Sequence, residues 1–389
     1  MDVITGTGRP PGVRPDHHQT RGARDLFHGG DAPASAVSTA MAKISVGVIT
    51  HAQGAHLGAY FDALAACEEV DDVVLSDPSG RSYGPARKAL GEKLAATYES
   101  REAMLREAAP DLALVSYEAV QAPPEIDAAL EAGCHVFAEK PACVRVGDFE
   151  KLVRKAKAKE RHLMLALANR VTPAVQEAKR IIERGALGDI YGVEAHIIAD
   201  QTRLKSKSYQ ANWYAQKARA GGGHLIWLGI HWLDLTMYLT GSDIVEVAGF
   251  AGNVGGQPID VEDSAAVTMK YSNGSFGTLT SGYYLDRRYH SHIRIWGSGG
   301  WLEYTEWLGE RVKSPLKWYS TVEPKTNGVQ IYDGPLDPRG YTPFLRECVR
   351  ACAGLRDAPV TGREGLRVLK TIHGFYTAAA TGRTQQVGS

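Results

Sequence analysis

Between Lys43 and Leu165 the chain alternates short apolar runs with helical segments, and this alternation restricts the fold more than any other feature. Lys43–Thr50 (KISVGVIT), Asp72–Ser76 (DVVLS), Asp111–Ser116 (DLALVS) and His135–Ala138 (HVFA) have the β-branched, apolar character of buried parallel strands. Apolar periodicity predicts helices through Tyr60, Leu64 and Cys67, over 83–96 and 100–108, and from Phe149 to Lys159. Another runs from Ala122 to Gly133, with prolines in its first turn and a glycine at its end. Strands and helices alternating at this spacing predict a doubly wound, Rossmann-type domain over 43–165.

The pattern changes after Ala166. A helix over Pro173–Glu183 leads to a strand at Ile190–Ala199, and strand-like runs follow at Ile244–Ala251, Ser264–Tyr271, Gly277–Tyr284 and Ile293–Trp296. The turn signal Ser272-Asn273-Gly274-Ser275 between two of them predicts antiparallel neighbours. With helices at Thr342–Ala353 and Gly362–Ala379, residues 166–389 read as an α+β domain on a large, mainly antiparallel sheet. Residues 1–42 lack apolar periodicity, are rich in Gly, Pro, Arg and His, and read as a disordered tail. That segment has no apolar core of a secretory signal, and Met41 offers an alternative start.

Lys+Arg and Asp+Glu both total 44, so no field of one sign recommends nucleic acid or a membrane surface as a partner. No apolar run is long enough to cross a bilayer. The five cysteines are odd in number and form no CxxC pair, which fits a reduced, cytoplasmic protein with structural thiols. Cys348 and Cys352 lie one helical turn apart without a neighbouring His cluster, and no metal ligand set is evident.

The first strand opens into Thr50-His51-Ala52-Gln53-Gly54, where a dinucleotide fold brings its backbone close to a pyrophosphate at a helix N-terminus. The loop is a degenerate GxGxxG, with Thr50 and Ala52 at glycine positions and Gly54 as a shifted glycine. Asp77 ends the second strand, 23 residues after Gly54, where a carboxylate can accept bonds from both ribose hydroxyls. It would repel a 2′-phosphate, so NAD is favoured over NADP, although Arg81 stands near. A turn-initiating role before Pro78 is the alternative for Asp77.

Two motifs then specify a family. Glu139-Lys140-Pro141 ends a strand preceded by EIDAALEAGCHVFA, and Gly221-Gly222-Gly223 is followed by Gly229, His231 and Asp234. Over 43–380 the chain resembles the Gfo/Idh/MocA oxidoreductases, nicotinamide-dependent enzymes of sugars and cyclitols. The resemblance implies an NAD-binding domain at 43–165 and a substrate and oligomerisation domain at 166–389, assembled as a homodimer or homotetramer. It also implies that Lys140 sits beside the nicotinamide and the reacting hydroxyl and that Glu139 belongs to the cofactor site. Ser116 would line the cofactor, and Asn169 and Arg170 would fall near cofactor and substrate.

An ammonium beside a positively charged ring gives up its proton readily and steadies a developing alkoxide, so Lys140 is a sensible catalytic group. His231 is positioned to accept a hydroxyl proton. Dehydrogenases of this family carry an Asp four residues before that His, and here the position is Trp227. His224, seven residues before His231 and on the same face of a regular helix, is a candidate substitute. A metal held by the two histidines would lack a third ligand.

Trp213, Trp227, Lys217 and Tyr283 are the candidate substrate contacts alongside Arg170. Together with Gln201–Lys207, Asn212, Tyr214 and Arg287-Arg288 they suit a carbohydrate, and the cations suit an anionic one; solvated loop and edge charges are the plainer alternative. The leading reading is an NAD-dependent sugar dehydrogenase. The alternatives are a redox-neutral NAD-dependent glycosidase acting by oxidation, elimination, water addition and re-reduction, and a catalytically silent NAD-binding regulator.

Overall fold

The computed structural model describes residues 43–285, 287–323, 328–336 and 340–388, and the tail expected over 1–42 lies outside them. Six parallel strands, β1 (Ile44–Thr50), β2 (Val70–Ser76), β3 (Leu94–Tyr98), β4 (Leu112–Ser116), β5 (His135–Ala138) and β6 (Leu163–Leu165), form one sheet in the order β3-β2-β1-β4-β5-β6. Helices α1 (Leu57–Ala66), α2 (Tyr83–Leu90), α3 (Arg101–Glu107), α4 (Ala122–Glu131) and α5 (Val146–Ala158) connect them. Val, Ile and Leu side chains leave β1 and β4 almost wholly buried, as parallel strands beneath crossover helices require. The strand order reverses between β1 and β4, and such a switch point opens a ligand crevice at the carboxyl ends of the strands.

The helix expected over 83–96 ends early. Gly91 terminates α2 with a positive φ of 57°, and the chain then forms β3, which periodicity had merged into the helix.

The second half contains α6 (Pro173–Glu183), β7 (Ile190–Asp200), α7 (Lys207–Gln210), α8 (Lys217–Ala220), α9 (Ile230–Thr240), β8 (Ile244–Gly252), β9 (Ser264–Tyr271) and β10 (Phe276–Leu285). There follow β11 (Tyr289–Gly297), β12 (Gly300–Leu308), β13 (Glu310–Arg311), β14 (Leu316–Ser320), β15 (Gln330–Ile331), α10 (Tyr341–Cys352), α11 (Gly362–Thr381) and β16 (Gln385–Gln386). Their sheet runs β15-β14-β12-β11-β7-β10-β9-β8-β16, with β13 on β12, and is antiparallel except where β7 pairs with β10. The Ser272–Ser275 turn joins β9 to β10 as expected.

On β7 the buried Val193, Ala195, Ile197 and Ala199 alternate with the more exposed Glu194, His196 and Ile198, so the sheet buries one face and leaves the other open. Helices α6 and α9 pack on it, while α11 packs against β8 and also against α5 and β6. Helix α10 packs against α1, so both C-terminal helices return to the parallel-sheet half. Helix α9, IHWLDLTMYLT, is apolar around most of its circumference and lies in the interior. Each Leu, Ile or Met it buries contributes about 1.5–3 kcal/mol. Its His231 and Asp234, like Thr236, are carried inward with it.

Candidate active site

The loop after β1 is fastened to the end of β4. Thr50 Oγ1 donates to the Ser116 carbonyl at 2.9 Å, and Ser116 Oγ donates to the Ala55 carbonyl at 2.8 Å. A Cβ on Gly54 would lie 2.1 Å from Thr50 Oγ1 and 2.9 Å from the Ser116 carbonyl, so only glycine closes the loop this tightly. His56 follows at φ 59° as the residue before α1 and supplies no side-chain cap, which leaves the first amides of the helix available to an anion. The buried atoms His51 Nε2 and Asn169 Nδ2 have no hydrogen-bond partner among the described residues. Buried polar atoms are nearly always satisfied, so these two suit a polar ligand arriving from outside. The crevice, the uncapped helix and these orphaned groups fit a nicotinamide dinucleotide.

Asp77 does something other than wait for a ribose. It is fully buried; Oδ1 accepts from Ser79 N and Oγ, and Oδ2 accepts from Ser82 N and Oγ. Burial alone would raise its carboxyl, but the bonds from Ser82 and Ser79 outweigh that and lower it. Its oxygens are therefore spent on their own turn, and the expectation of a free ribose acceptor is corrected; its negative charge stays at the end of β2.

Lys140 leaves β5 across a cis peptide to Pro141 and is buried. Its Nζ donates to the Trp227 carbonyl at 2.7 Å and lies 3.4 Å from the centroid of the Trp227 ring. The residue at the expected Asp position thus receives the ammonium through its backbone oxygen and its π face. On Trp227 stacks His56, centroids 5.7 Å apart and planes 14° apart. His56 Nδ1 sits 3.1 Å from Glu139 Oε2, which also accepts from the Tyr60 hydroxyl. Burial alone would raise the Glu139 carboxyl; His56, Lys140 and Tyr60 together lower it, so it is a buried anion. Sequence reasoning missed His56. Its signal was a His immediately before a helix, where Ser, Thr, Asp or Asn is the usual cap.

The glycine run makes a seat for this arrangement. The amides of Gly223 and Leu225 donate to the Glu262 carboxylate at 2.6 and 3.0 Å, Tyr376 donates to it at 2.9 Å, and the His224 amide donates to the Glu262 carbonyl at 3.0 Å. A Cβ on Gly222 would meet Tyr376 Oη at 2.1 Å, and one on Gly223 would meet the Glu262 carbonyl oxygen at 1.9 Å. The chain then makes a wide π-type turn over Leu225–Gly229 before α9. That turn breaks the regular helical spacing and rotates His231 off the face of His224.

Lys140, His231, Asn169 and Trp227 line one cavity of about 360 Å³. His56, Arg203, Tyr289 and Tyr341 also line it. Arg203 comes from the basic segment singled out in the sequence; it donates to the Tyr289 hydroxyl at 3.0 Å and packs over the rings of Tyr283 and Tyr289.

Several expected contacts lie elsewhere. His224 is wholly buried, with Nδ1 2.7 Å from Ser281 Oγ, and burial with Arg203 nearby pushes it down to about 3. It is neutral at physiological pH and outside the cavity, so its expected catalytic role is corrected to a packing one. Arg170 is buried, makes a bidentate pair with Asp234 at 2.8 and 2.6 Å, and also donates to Glu364. Burial opposes its charge, but the two carboxylates outweigh it; all three guanidinium nitrogens are engaged by them, and the side chain lines no part of the Lys140 cavity. Trp213 is buried with its Nε1 on the Gln53 carbonyl at 3.2 Å, so it braces the nucleotide loop and presents no stacking face. Lys217 is exposed and lines no part of the cavity. Tyr283 is buried behind Arg203, its hydroxyl 3.0 Å from that of Tyr209. Gln53 and Ala52 are exposed in the loop, where Arg219 reaches Gln53 Oε1 at 3.1 Å and pairs with Glu118.

A larger depression of about 1220 Å³ between α1 and α10 is lined by Arg170, Arg346 and Arg350. These cations are paired with Asp234, Glu364 and Glu69, so the depression lacks the reacting groups gathered around Lys140.

Residues 46–167 match the family model described as oxidoreductase family, NAD-binding Rossmann fold, and 175–303 match that described as GFO/IDH/MocA C-terminal domain. Levoglucosan dehydrogenase of Pseudarthrobacter phenanthrenivorans is 28% identical over 284 residues, which span 66% of this chain and 67% of that protein. D-glucoside 3-dehydrogenase of Escherichia coli is 27% identical over 226 residues, 54% of this chain and 62% of that one. Among solved structures, an oxidoreductase domain protein from Kribbella flavida superposes with a TM-score of 0.78 at 24% identity, over 90% of this chain and all of that one. The WlbA dehydrogenase from Bordetella pertussis, in complex with NADH and UDP-GlcNAcA, gives 0.75 at 21% identity over 89% of this chain and 99% of its own. At these identities the two structures show a shared fold.

Proposed function

Because the chain belongs to the GFO/IDH/MocA oxidoreductase family, we propose that it oxidises a ring hydroxyl of a sugar or cyclitol, with NAD rather than NADP as cofactor. One observation carries this reading: Lys140 is held against Trp227 in the same cavity as His231 and the Glu139-supported His56. The names of the relatives support the substrate class, since levoglucosan, a D-glucoside and myo-inositol all offer ring hydroxyls. The buried negative charge of Asp77 at the end of β2 supports NAD by repelling a 2′-phosphate.

When bound, NAD supplies the hydride acceptor. The chain's own groups do the rest. Lys140 places its ammonium beside the substrate oxygen and stabilises the negative charge that grows as the C–H bond breaks. His231 takes the hydroxyl proton. The Glu139–His56 couple fixes the Trp227 ring, and through it the position of Lys140. Thr50, Gly54, His51 and Ser116 would hold the dinucleotide at the β1–β4 crevice, with Asn169 at the substrate end. Arg203, a second cation in the cavity wall, supports an anionic sugar. The second imidazole, His56, favours a redox-neutral glycosidase as the alternative, because elimination and re-addition need an additional acid/base. The exposed Phe250, Phe276 and Tyr191 support assembly as a homodimer or homotetramer.

The test incubates the protein with NAD and a panel of neutral and carboxylated sugars, glycosides and cyclitols, reading NADH absorbance and aglycone release together. NADH accumulation supports the dehydrogenase, and aglycone release without net NADH selects the glycosidase. Equal kcat/KM for a sugar and its carboxylated analogue removes the anionic preference. Lys140→Ala should lower turnover by about 10²–10³, the usual loss on removing one charge-stabilising group. A Lys140→Ala protein with unchanged turnover refutes the assignment, and NAD binding with no turnover on the panel brings the silent regulator forward.

A further inference from the structure

On the open face of the second sheet, away from the cavity, two strands bring together a second cluster of reactive groups. His196 of β7 and His292 of β11 are direct cross-strand partners, with ring centroids 3.7 Å apart. Glu194 stands two residues before His196 and therefore on the same face, and its Oε1 lies 3.0 Å from His292 Nε2. One ligand atom from each of the three falls within 4.8 Å of the other two, the one such cluster among the described residues. The geometry points to a binding site for a divalent transition ion of the zinc type, held by Glu194, His196 and His292.

The ligand chemistry sets the class of ion. Two imidazoles and one carboxylate suit Zn²⁺ and its first-row neighbours, whereas Ca²⁺ and Mg²⁺ want six or more oxygens. Around an ion bound at about 2.0–2.1 Å, tetrahedral ligand atoms sit about 3.3 Å apart, so side-chain rotation alone closes the cluster. The supporting backbone needs no rearrangement. β7 lies between β10 and β11, and β11 between β7 and β12, so all three ligands project from interior strands rather than from loops. Three protein ligands leave at least one position for water. The nearest competing charge, Arg294, is 4.0 Å from Glu194 and is engaged more closely by Glu303 at 2.5 Å. Glu194 and His292 are 98 residues apart in the chain, which hides the set from any spacing rule. The bound ion cross-links β7 to β11, the strand that begins at the cavity residue Tyr289.

The experiment uses the full chain, stripped with a chelator and titrated with Zn²⁺, with binding followed by calorimetry and stoichiometry by elemental analysis. We expect one equivalent of Zn²⁺ per chain, accompanied by a higher Tm. His196→Ala and His292→Ala should each weaken that binding by more than the roughly 10-fold that even the loss of an outer-shell partner costs, with NAD affinity unchanged. Glu194→Gln, which keeps the bulk and polarity of the side chain, provides a second route should a histidine variant fail to fold. In the wild-type protein, Zn²⁺ should also protect His196 and His292 from acylation by diethylpyrocarbonate. Absence of stoichiometric binding overturns the assignment. So does binding that survives in all three variants, because the ion would then occupy other histidines.

Discussion

Substituting Gly223 with Ala tests whether the glycine run is a positioning device for the reacting groups. The new Cβ would lie 1.9 Å from the Glu262 carbonyl oxygen, and ordinary contact begins near 3.4 Å, so one segment must retreat by about 1.5 Å. The obstacle is backbone, and no rotamer can relieve it. The Gly223 carbonyl accepts the Trp227 amide at 3.0 Å, so the displacement passes into the turn whose carbonyl holds Lys140 at 2.7 Å. A misplacement of about 1 Å at a reacting group can reduce turnover by about 10²-fold, equivalent to about 2.7 kcal/mol of transition-state stabilisation. The assay is kcat/KM for the sugar turned over best in the panel, with NAD affinity and thermal unfolding measured on the same sample. Gly222→Ala should do less damage, because its obstacle is the Tyr376 side chain, which can swing aside. Gly147→Ala, with nothing within 4 Å of the new Cβ, should leave turnover unchanged and gain up to about 1 kcal/mol in stability. A folded Gly223→Ala enzyme that retains kcat/KM within about threefold, some 0.6 kcal/mol, refutes the reasoning.

Two further variants probe charges outside the cavity. Asp234→Asn removes the bidentate partner of buried Arg170 and should destabilise the protein by about 3 kcal/mol, the low end for a broken buried pair because Glu364 remains; activity should follow the folded fraction, and a rise in KM at unchanged stability would return Arg170 to the substrate. Glu69 joins the start of β2 to α10 through Arg346 and Arg350; burial alone would raise its carboxyl, but the bonds from Arg350 and Arg346, with its own amide and Cys67, bring it from an ordinary 4.5 to about 2. A lowered carboxyl stabilises the fold fully above 4.5 and loses that contribution as pH falls towards 2, so Glu69→Gln should cost about 1–2 kcal/mol at neutral pH, discounted for its partly exposed arginines, and the gap in urea unfolding should narrow in acid. A gap that stays constant from neutral pH to below 3 would mean that packing, not charge, sustains the contact.

Local rules made the parallel half of the fold legible. The runs at β1, β2, β4 and β5 are apolar and bounded by turn signals, and their alternation with helices admits few topologies. β3 was not legible, because Leu94–Tyr98 follows α2 after one glycine-led turn and extends its apolar pattern. In the second half the Asn-Gly hairpin between β9 and β10 announced itself, but the parallel pairing of β7 with β10 depends on contacts between strands more than 80 residues apart, which no local signal carries. Aromatic and cationic residues were the least reliable guides. Trp213 and Tyr283 have the composition of a sugar platform and are spent on packing, while Arg203, one of several equivalent cations in its segment, is the one that reaches the cavity.

The Trp at position 227 shows why residue identity at a motif position underdetermines chemistry. Read along the chain, Trp for Asp removes a carboxylate from the neighbourhood of His231. In space, a carboxylate stands behind the wall of the same cavity, contributed by the other half of the protein: Glu139 supports His56, which lines the cavity and stacks on Trp227. The contacts responsible join residues 83 and 87 positions apart, Glu139 to His56 and Lys140 to Trp227. The indole attracts the Lys140 ammonium through its ring face. Trp227 therefore belongs with the Glu139–His56 pair as a single solution to holding one cation at one point.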